Sequence, residues 1–297
     1  MPSIQVYHYD AFTTKPGKGN PAGIVLNGDE LSEIQMQEIA YQVGFNETAF
    51  LVESEIADWG IRFFTPGHEM NLCGHATIAT IYAVKTQKLL VEKSTLTIET
   101  KAGVLPLTID STSDKETDII MNQASPTFQA FRGSKQDLAK SIGLQETELD
   151  DQLSIVYGST GTWTLLVPIK ELAVFQKMKP NNQDFPSILQ EIPASSVHPF
   201  CTETYNPQAD MHARHFSSPY SGTIEDAVTG TASGAMGAYF ATYMDKGFDE
   251  SLNLMVEQGH EISKEGMVGV KVSKRANTLD VKITGNAVYV NDMEVII

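Results

Sequence analysis

Glu47 lies in Gly44-Phe45-Asn46-Glu47-Thr48-Ala49-Phe50, at a helix-to-strand junction followed at once by an apolar strand. Low-dielectric surroundings there would raise a carboxyl pKa toward that of a useful acid and base, whereas a solvated turn would leave an ordinary surface glutamate. His75 opens a helix after Cys73-Gly74. That position suits a proton shuttle, the alternative being a capping or core histidine. Asp226 precedes a second helix, in Glu225-Asp226-Ala227-Val228-Thr229-Gly230-Thr231. It would orient a histidine or accept from a polar substrate group, or only complement the helix dipole. Gly74, Gly230, Thr231 and Ser233 are anion-binding candidates, because glycine lets a ligand approach the backbone and hydroxyls add donors; close helix packing is their other use. Cys73 at a helix end could serve as a thiolate base. Its counterpart in the second run is Thr229, too weak an acid to complete a two-thiol racemase, so Cys73 is expected to be a packing residue. His68, His198, His212 and His260 have no comparable setting.

These residues belong to a pattern that the chain states twice. Arg62-Phe63-Phe64-Thr65-Pro66 followed by Cys73-Gly74-His75-Ala76-Thr77-Ile78-Ala79 is answered by Arg214-His215-Phe216-Ser217-Ser218-Pro219 followed by Thr229-Gly230-Thr231-Ala232-Ser233-Gly234-Ala235. Each copy predicts a strand, a loop, and a helix whose first turn presents unpaired backbone N–H groups, a setting that attracts carboxylates. Two related halves should then face each other, with a small acidic ligand between the helix ends.

The elements that must position these groups follow from periodicity. Strands are expected over 4–9, 23–26, 49–52, 61–64, 95–99 and 105–109. Ser32 and Gln35 make a capping box for a helix stopped by Gly44, and a second helix should run from Ala76 to about Gln87. Polar residues from Ser111 to Asp118 mark a linker. Beyond it, strands are expected over 119–121, 154–157, 163–167, 268–272, 279–283 and 287–290. Helices should lie near Lys135 to Ile142, from Glu171 to Met178, and from Ala232 to about Lys246.

A chain of 297 residues suggests two domains of roughly 150 residues each. With 41% hydrophobic and 20% charged residues, no apolar run long enough to span a bilayer and no charged-then-apolar leader at Met1, a soluble, cytoplasmic protein is expected. The net charge of −16 argues against nucleic-acid binding, which needs clustered Lys and Arg. The two cysteines, Cys73 and Cys201, suggest neither a disulfide framework nor a metal cluster.

Taken in order, Gly19-Asn20-Pro21-Ala22, Asn46-Glu47-Thr48-Ala49-Phe50, Phe64-Thr65-Pro66, Leu72-Cys73-Gly74-His75-Ala76-Thr77 and Glu225-Asp226-Ala227-Val228-Thr229-Gly230-Thr231-Ala232 resemble the phenazine-biosynthesis PhzF family over nearly the whole chain. The resemblance implies an α+β, diaminopimelate-epimerase-like fold: two pseudo-symmetric halves, each a mixed sheet wrapped around a central helix, with the active site in the cleft between them. The halves would span 1–115, completed by the last strand at about 286–297, and 116–285. Glu47 matches the family's catalytic glutamate, and His75 and Asp226 its active-site histidine and aspartate. Gly74, Gly230 and Thr231 match anion-holding positions, and Asn20 and Ala232 complete the substrate-binding set. The family commonly has Ser where Thr231 stands, a change that keeps the hydroxyl. The implied activity is isomerisation of trans-2,3-dihydro-3-hydroxyanthranilate, moving a proton from C3 toward C1 without metal or organic cofactor, in a homodimer. An amino-acid epimerase of the related fold and a non-catalytic small-anion binding protein are the alternative readings.

Overall fold

The computed structural model describes residues 3–89, 93–113, 116–276 and 278–297. The chain divides into two units, residues 1–122 with 284–297, and residues 123–283. The first runs β1 (Ser3–Ala11), β2 (Asn20–Val25), α1 (Glu33–Val43), β3 (Glu47–Val52), β4 (Trp59–Phe64), β5 (Glu69–Met70), α2 (Gly74–Thr86), β6 (Thr95–Thr100), β7 (Gly103–Ser113) and β8 (Glu116–Asn122). The second runs β9 (Thr127–Ala130), α3 (Lys135–Ser141), β10 (Val156–Ser159), β11 (Trp163–Pro168), α4 (Phe185–Ile188), β12 (Ser196–Cys201), β13 (Met211–Ala213), β14 (His215–Phe216), β15 (Glu225–Asp226), α5 (Gly230–Tyr239), β16 (Ser251–Gln258), β17 (Gly266–Arg275) and β18 (Thr278–Gly285). The chain then returns to the first unit with β19 (Ala287–Ile296).

In the first unit neighbouring strands run β19, β1, β2, β3, β4, β6, β7, β8; β2/β3 and β4/β6 are parallel and the rest antiparallel. The sheet packs on α2, whose residues His75 to Ile81, Ala83 and Val84 are all buried. A helix with so little solvent face must be made of small and β-branched residues, and its hydroxyls must find partners. Thr77 and Thr80 donate to the carbonyls of Cys73 and Ala76, each at 2.7 Å. The α1 helix starts with the expected capping box, Ser32 with Gln35, and stops at Gly44, whose φ of 70° is the left-handed cap that glycine adopts without strain.

The second unit repeats the order: β9, β10, β11, β12, then β13 and β14 end to end, then β16 and β17, with β11/β12 and β13/β16 parallel. β13 and β14 together stand where β4 stands in the first unit. They separate at Arg214, which the register sets opposite Pro199, a residue with no N–H to give the ladder. α5 is the central helix here, and all its residues except Thr231 are buried. A Cβ at Gly237 would lie 2.5 Å from Val270 Cγ1, so that glycine serves packing.

Three expectations change. Residues 111–113 and 116–118 extend the β7/β8 ladder, so a hairpin arm stands where a linker was expected; 114 and 115 lie outside the described residues. The helix expected over 171–178 is a tighter 3-10 stretch, Leu172–Lys177. The long helix from Ala232 starts earlier, at Gly230, and leaves α geometry at Tyr239 for a wider π turn, Phe240–Met244. There the rings of Tyr239 and Tyr243 stack with centroids 4.7 Å apart.

A shared device holds the hairpin ahead of each central helix. Arg62 forks onto Glu69 through two hydrogen bonds of 2.8 Å and lies over the Phe64 ring. Arg214 forks onto Glu225 at 2.9 and 2.6 Å and lies over Phe216. Arg214 also donates to the carbonyls of Phe175 and Met178. Its side chain is 6% exposed against 27% for Arg62. Removing one partner of a buried pair strands the other charge, so Arg214→Ala should cost about 3–5 kcal/mol and Arg62→Ala about 1 kcal/mol. Urea denaturation measures both, and equal costs would contradict this account.

Candidate active site

The first unit gathers Glu47, His75, Cys73, Gly74 and Asn20. Glu47 is the first residue of β3, three residues past the Gly44 cap that turns the chain from α1. Its register partner on the parallel strand β2 is Ala22. Asn20, two residues before Ala22, shares that face of the sheet. It is fully buried and follows Gly19, whose φ is 68° and whose absent Cβ would lie 2.2 Å from the Ala11 carbonyl oxygen. Only glycine fits that turn.

His75, in the first turn of α2, has its Nε2 3.2 Å from Glu47 Oε2, with the two side chains 7% and 14% exposed. Its Nδ1 lies 3.3 Å from Cys73 Sγ. The imidazole is therefore held between a carboxylate and a sulfur, and can pass a proton to or from the carboxylate. Cys73, expected to be a packing residue because its counterpart is Thr229, touches this ring. It is the N-cap of α2 in an extended conformation, and its side chain makes no capping bond. The start of α2 thus keeps the electropositive character that draws anions. A Cβ at Gly74 would meet nothing within 4 Å. Packing therefore does not demand glycine there.

The second unit gathers Asp226, Gly230, Thr231 and Ala232. Asp226 ends β15 opposite His215, and its Oδ2 accepts from Thr229 Oγ1 at 2.6 Å. Thr229 is the N-cap of α5, again without a side-chain capping bond. Thr231 is the half-buried residue of the helix's first turn, and its carbonyl accepts from Thr160 Oγ1 at 3.0 Å. Ala232 and Gly230 are buried beside it.

Two supports were not read from the sequence. Gln258, fully buried, accepts from Thr229 N at 3.2 Å and donates to the Asp226 carbonyl at 2.8 Å, fastening the turn between them. His198 and His215 face each other with their Nδ1 atoms 3.2 Å apart. Burial, then the neighbouring His215, holds His198 well below the ordinary histidine range. Burial also lowers His215, against the pull of Asp226. One ring donates and the other accepts, which two imidazoliums could not do. The cue available was His198 opposite His215 once β12 and β14 are paired.

An α+β scaffold that holds a largely enclosed carboxylate–histidine pair beside an uncapped helix start has the equipment of an enzyme that moves protons. Comparison with known proteins gives the family. The phenazine biosynthesis-like protein family, PhzC-PhzF, matches residues 9–293. An uncharacterized isomerase, YfhB, of Bacillus subtilis (strain 168) is 50% identical over 289 residues, covering 97% of each chain. A crystal structure of a PhzF-family phenazine biosynthesis protein from Bacillus anthracis superposes with a TM-score of 0.98 at 58% identity, covering 100% of both chains. The trans-2,3-dihydro-3-hydroxyanthranilate isomerase of Pseudomonas chlororaphis is 26% identical over 288 residues, covering 95% of this chain and 97% of its own. The chain belongs to the PhzF family, and it is an isomerase with the diaminopimelate-epimerase-like fold.

The two buried histidines set a pH dependence. Their folded-state pKa values lie below the unfolded value of about 6.5. The unfolded chain therefore binds more protons on acidification, so this stability is full above about pH 6.5 and falls as pH drops below it. His198→Gln should remove up to about 1.4 kcal/mol per pH unit from that slope. Denaturation curves between about pH 5 and 7.5 would show an unchanged slope if His198 were ordinary.

Proposed function

We propose that the chain catalyses a cofactor-independent proton shift on a small carboxylate such as trans-2,3-dihydro-3-hydroxyanthranilate, with Glu47 as the sole acid/base. The carrying observation is the Glu47–His75 contact of 3.2 Å, with no acid/base pair at the corresponding positions among the described residues of the second unit. Register sets Ser196 opposite Thr164 as Glu47 is set opposite Ala22, and Thr229 and Thr231 take the helix positions of Cys73 and His75. Serine and threonine hydroxyls are too weakly acidic to serve as a second base. One base that removes and returns the same proton fits a shift between two carbons of one ligand face better than two-base epimerisation.

In this reading the Glu47 carboxylate takes the proton from C3 while His75 steadies the carboxyl that forms, and Glu47 then delivers the proton to C1. Gly74, Gly230, Thr231 and Ala232, each at a helix start with free backbone N–H character, are the proposed carboxylate-binding residues. Asn20, Asp226 and His75 bind its amino or hydroxyl groups. We also propose a cytoplasmic homodimer; no helix among the described residues is long and apolar enough to cross a membrane. The relatives named isomerases, one of them acting on this dihydroanthranilate, support the reading.

The test is proton NMR of trans-2,3-dihydro-3-hydroxyanthranilate turnover. Glu47→Gln should lower kcat by about 10²–10⁴-fold with the fold intact. Undiminished turnover would remove Glu47 from its role, and binding without turnover in both proteins would favour an anion-binding protein. Gly74→Ala separates ligand access from packing. Alanine should raise helix stability by up to about 1 kcal/mol while raising KM, and an unchanged KM would contradict the anion-holding role.

A further inference from the structure

Cys73 has no part in this proton transfer, yet Cys73, His75 and Glu47 each present a donor atom, all within 4.8 Å of one another. The three are fixed by separate backbone constraints: the N-cap of α2, its first turn, and the first residue of β3. Tetrahedral zinc binds sulfur at about 2.3 Å, nitrogen at about 2.0–2.1 Å and carboxylate oxygen at about 2.0–2.2 Å. Around one ion, sulfur and nitrogen therefore stand about 3.5 Å apart, and nitrogen and oxygen about 3.4 Å. Here Cys73 Sγ is 3.9 Å from His75 Nε2, and His75 Nε2 is 3.2 Å from Glu47 Oε2. Side-chain rotation is enough to close differences of that size.

We propose that Glu47, His75 and Cys73 form a three-donor site for a thiophilic divalent cation of the Zn²⁺ type, with a fourth position left for water or a ligand carboxylate. On binding, the thiol S–H bond is replaced by a metal–sulfur bond and its proton leaves to solvent, with no change of oxidation state. The cation occupies the carboxylate that carries the proton, so metal and turnover exclude each other. That consequence rests on the proposed isomerase reading; the binding itself does not.

The experiment is a titration of chelator-treated protein with Co²⁺, whose sulfur-to-metal charge-transfer absorption appears only when a thiolate is a ligand. The wild type should develop the band stoichiometrically, with one proton released per ion, and lose it when Zn²⁺ is added. Cys73→Ser keeps a favourable N-cap residue and should abolish the band, weakening Zn²⁺ binding at least tenfold; Glu47→Gln should weaken binding while keeping the band. No charge-transfer band in the wild type, or an undiminished band in Cys73→Ser, would overturn the site. Zn²⁺ inhibition reversed by a chelator tests the consequence separately. Thiolate-bound Co²⁺ in a chain with no isomerase activity would keep the site and sink the catalytic reading instead.

Discussion

Each unit depends on a helix with almost no solvent face. α2 and α5 are enclosed by their own sheets, so their side chains must be small or paired, and their hydroxyls turn back onto the helix backbone, as Thr77, Thr80 and Ser233 do. The same enclosure puts the partial positive charge of each helix start at a place its N-cap side chain does not neutralise. The Arg–Glu–Phe clamps follow from this need. They fix the hairpins β4/β5 and β14/β15, which deliver Cys73 and Thr229 to the two N-cap positions.

On this repeated frame the two units carry different chemistry. The first places a carboxylate, an imidazole and a thiol in mutual contact, while the second offers an aspartate held by a threonine and a pair of buried histidines. Had both units kept the same acid/base set, two-base epimerisation would be the natural reading. That difference between the units is what favours the proposed single-base reading, with Glu47 as the base, over two-base epimerisation.

Features whose cause is local were legible in the sequence. The Ser32–Gln35 box, the Gly44 stop and the arrival of Glu47 at the head of a strand depend on neighbours a few residues away. The duplicated Arg-x-Phe and small-residue helix runs were visible because each copy is nearly continuous. What escaped depends on register and packing. Gln258 reaches Thr229 and Asp226 only after β16 joins the sheet through β13, and His198 meets His215 only across the β12/β14 pairing. Cys73 was judged against its counterpart Thr229, whereas its ring contact with His75 requires the turn itself. The early end of α5 coincides with a Tyr239–Tyr243 stack that no 3.6-residue periodicity reports.

The central claim is that one glutamate both removes and returns the proton. The direct measurement is turnover of trans-2,3-dihydro-3-hydroxyanthranilate labelled with deuterium at C3, in ordinary water, with the C1 position of the product read by NMR and mass spectrometry. A carboxyl as enclosed as Glu47, beside a buried His75, should carry part of the label from C3 to C1 before solvent replaces it. Product bearing only solvent hydrogen at C1, even at the earliest times, would contradict the return of the same proton by an enclosed Glu47.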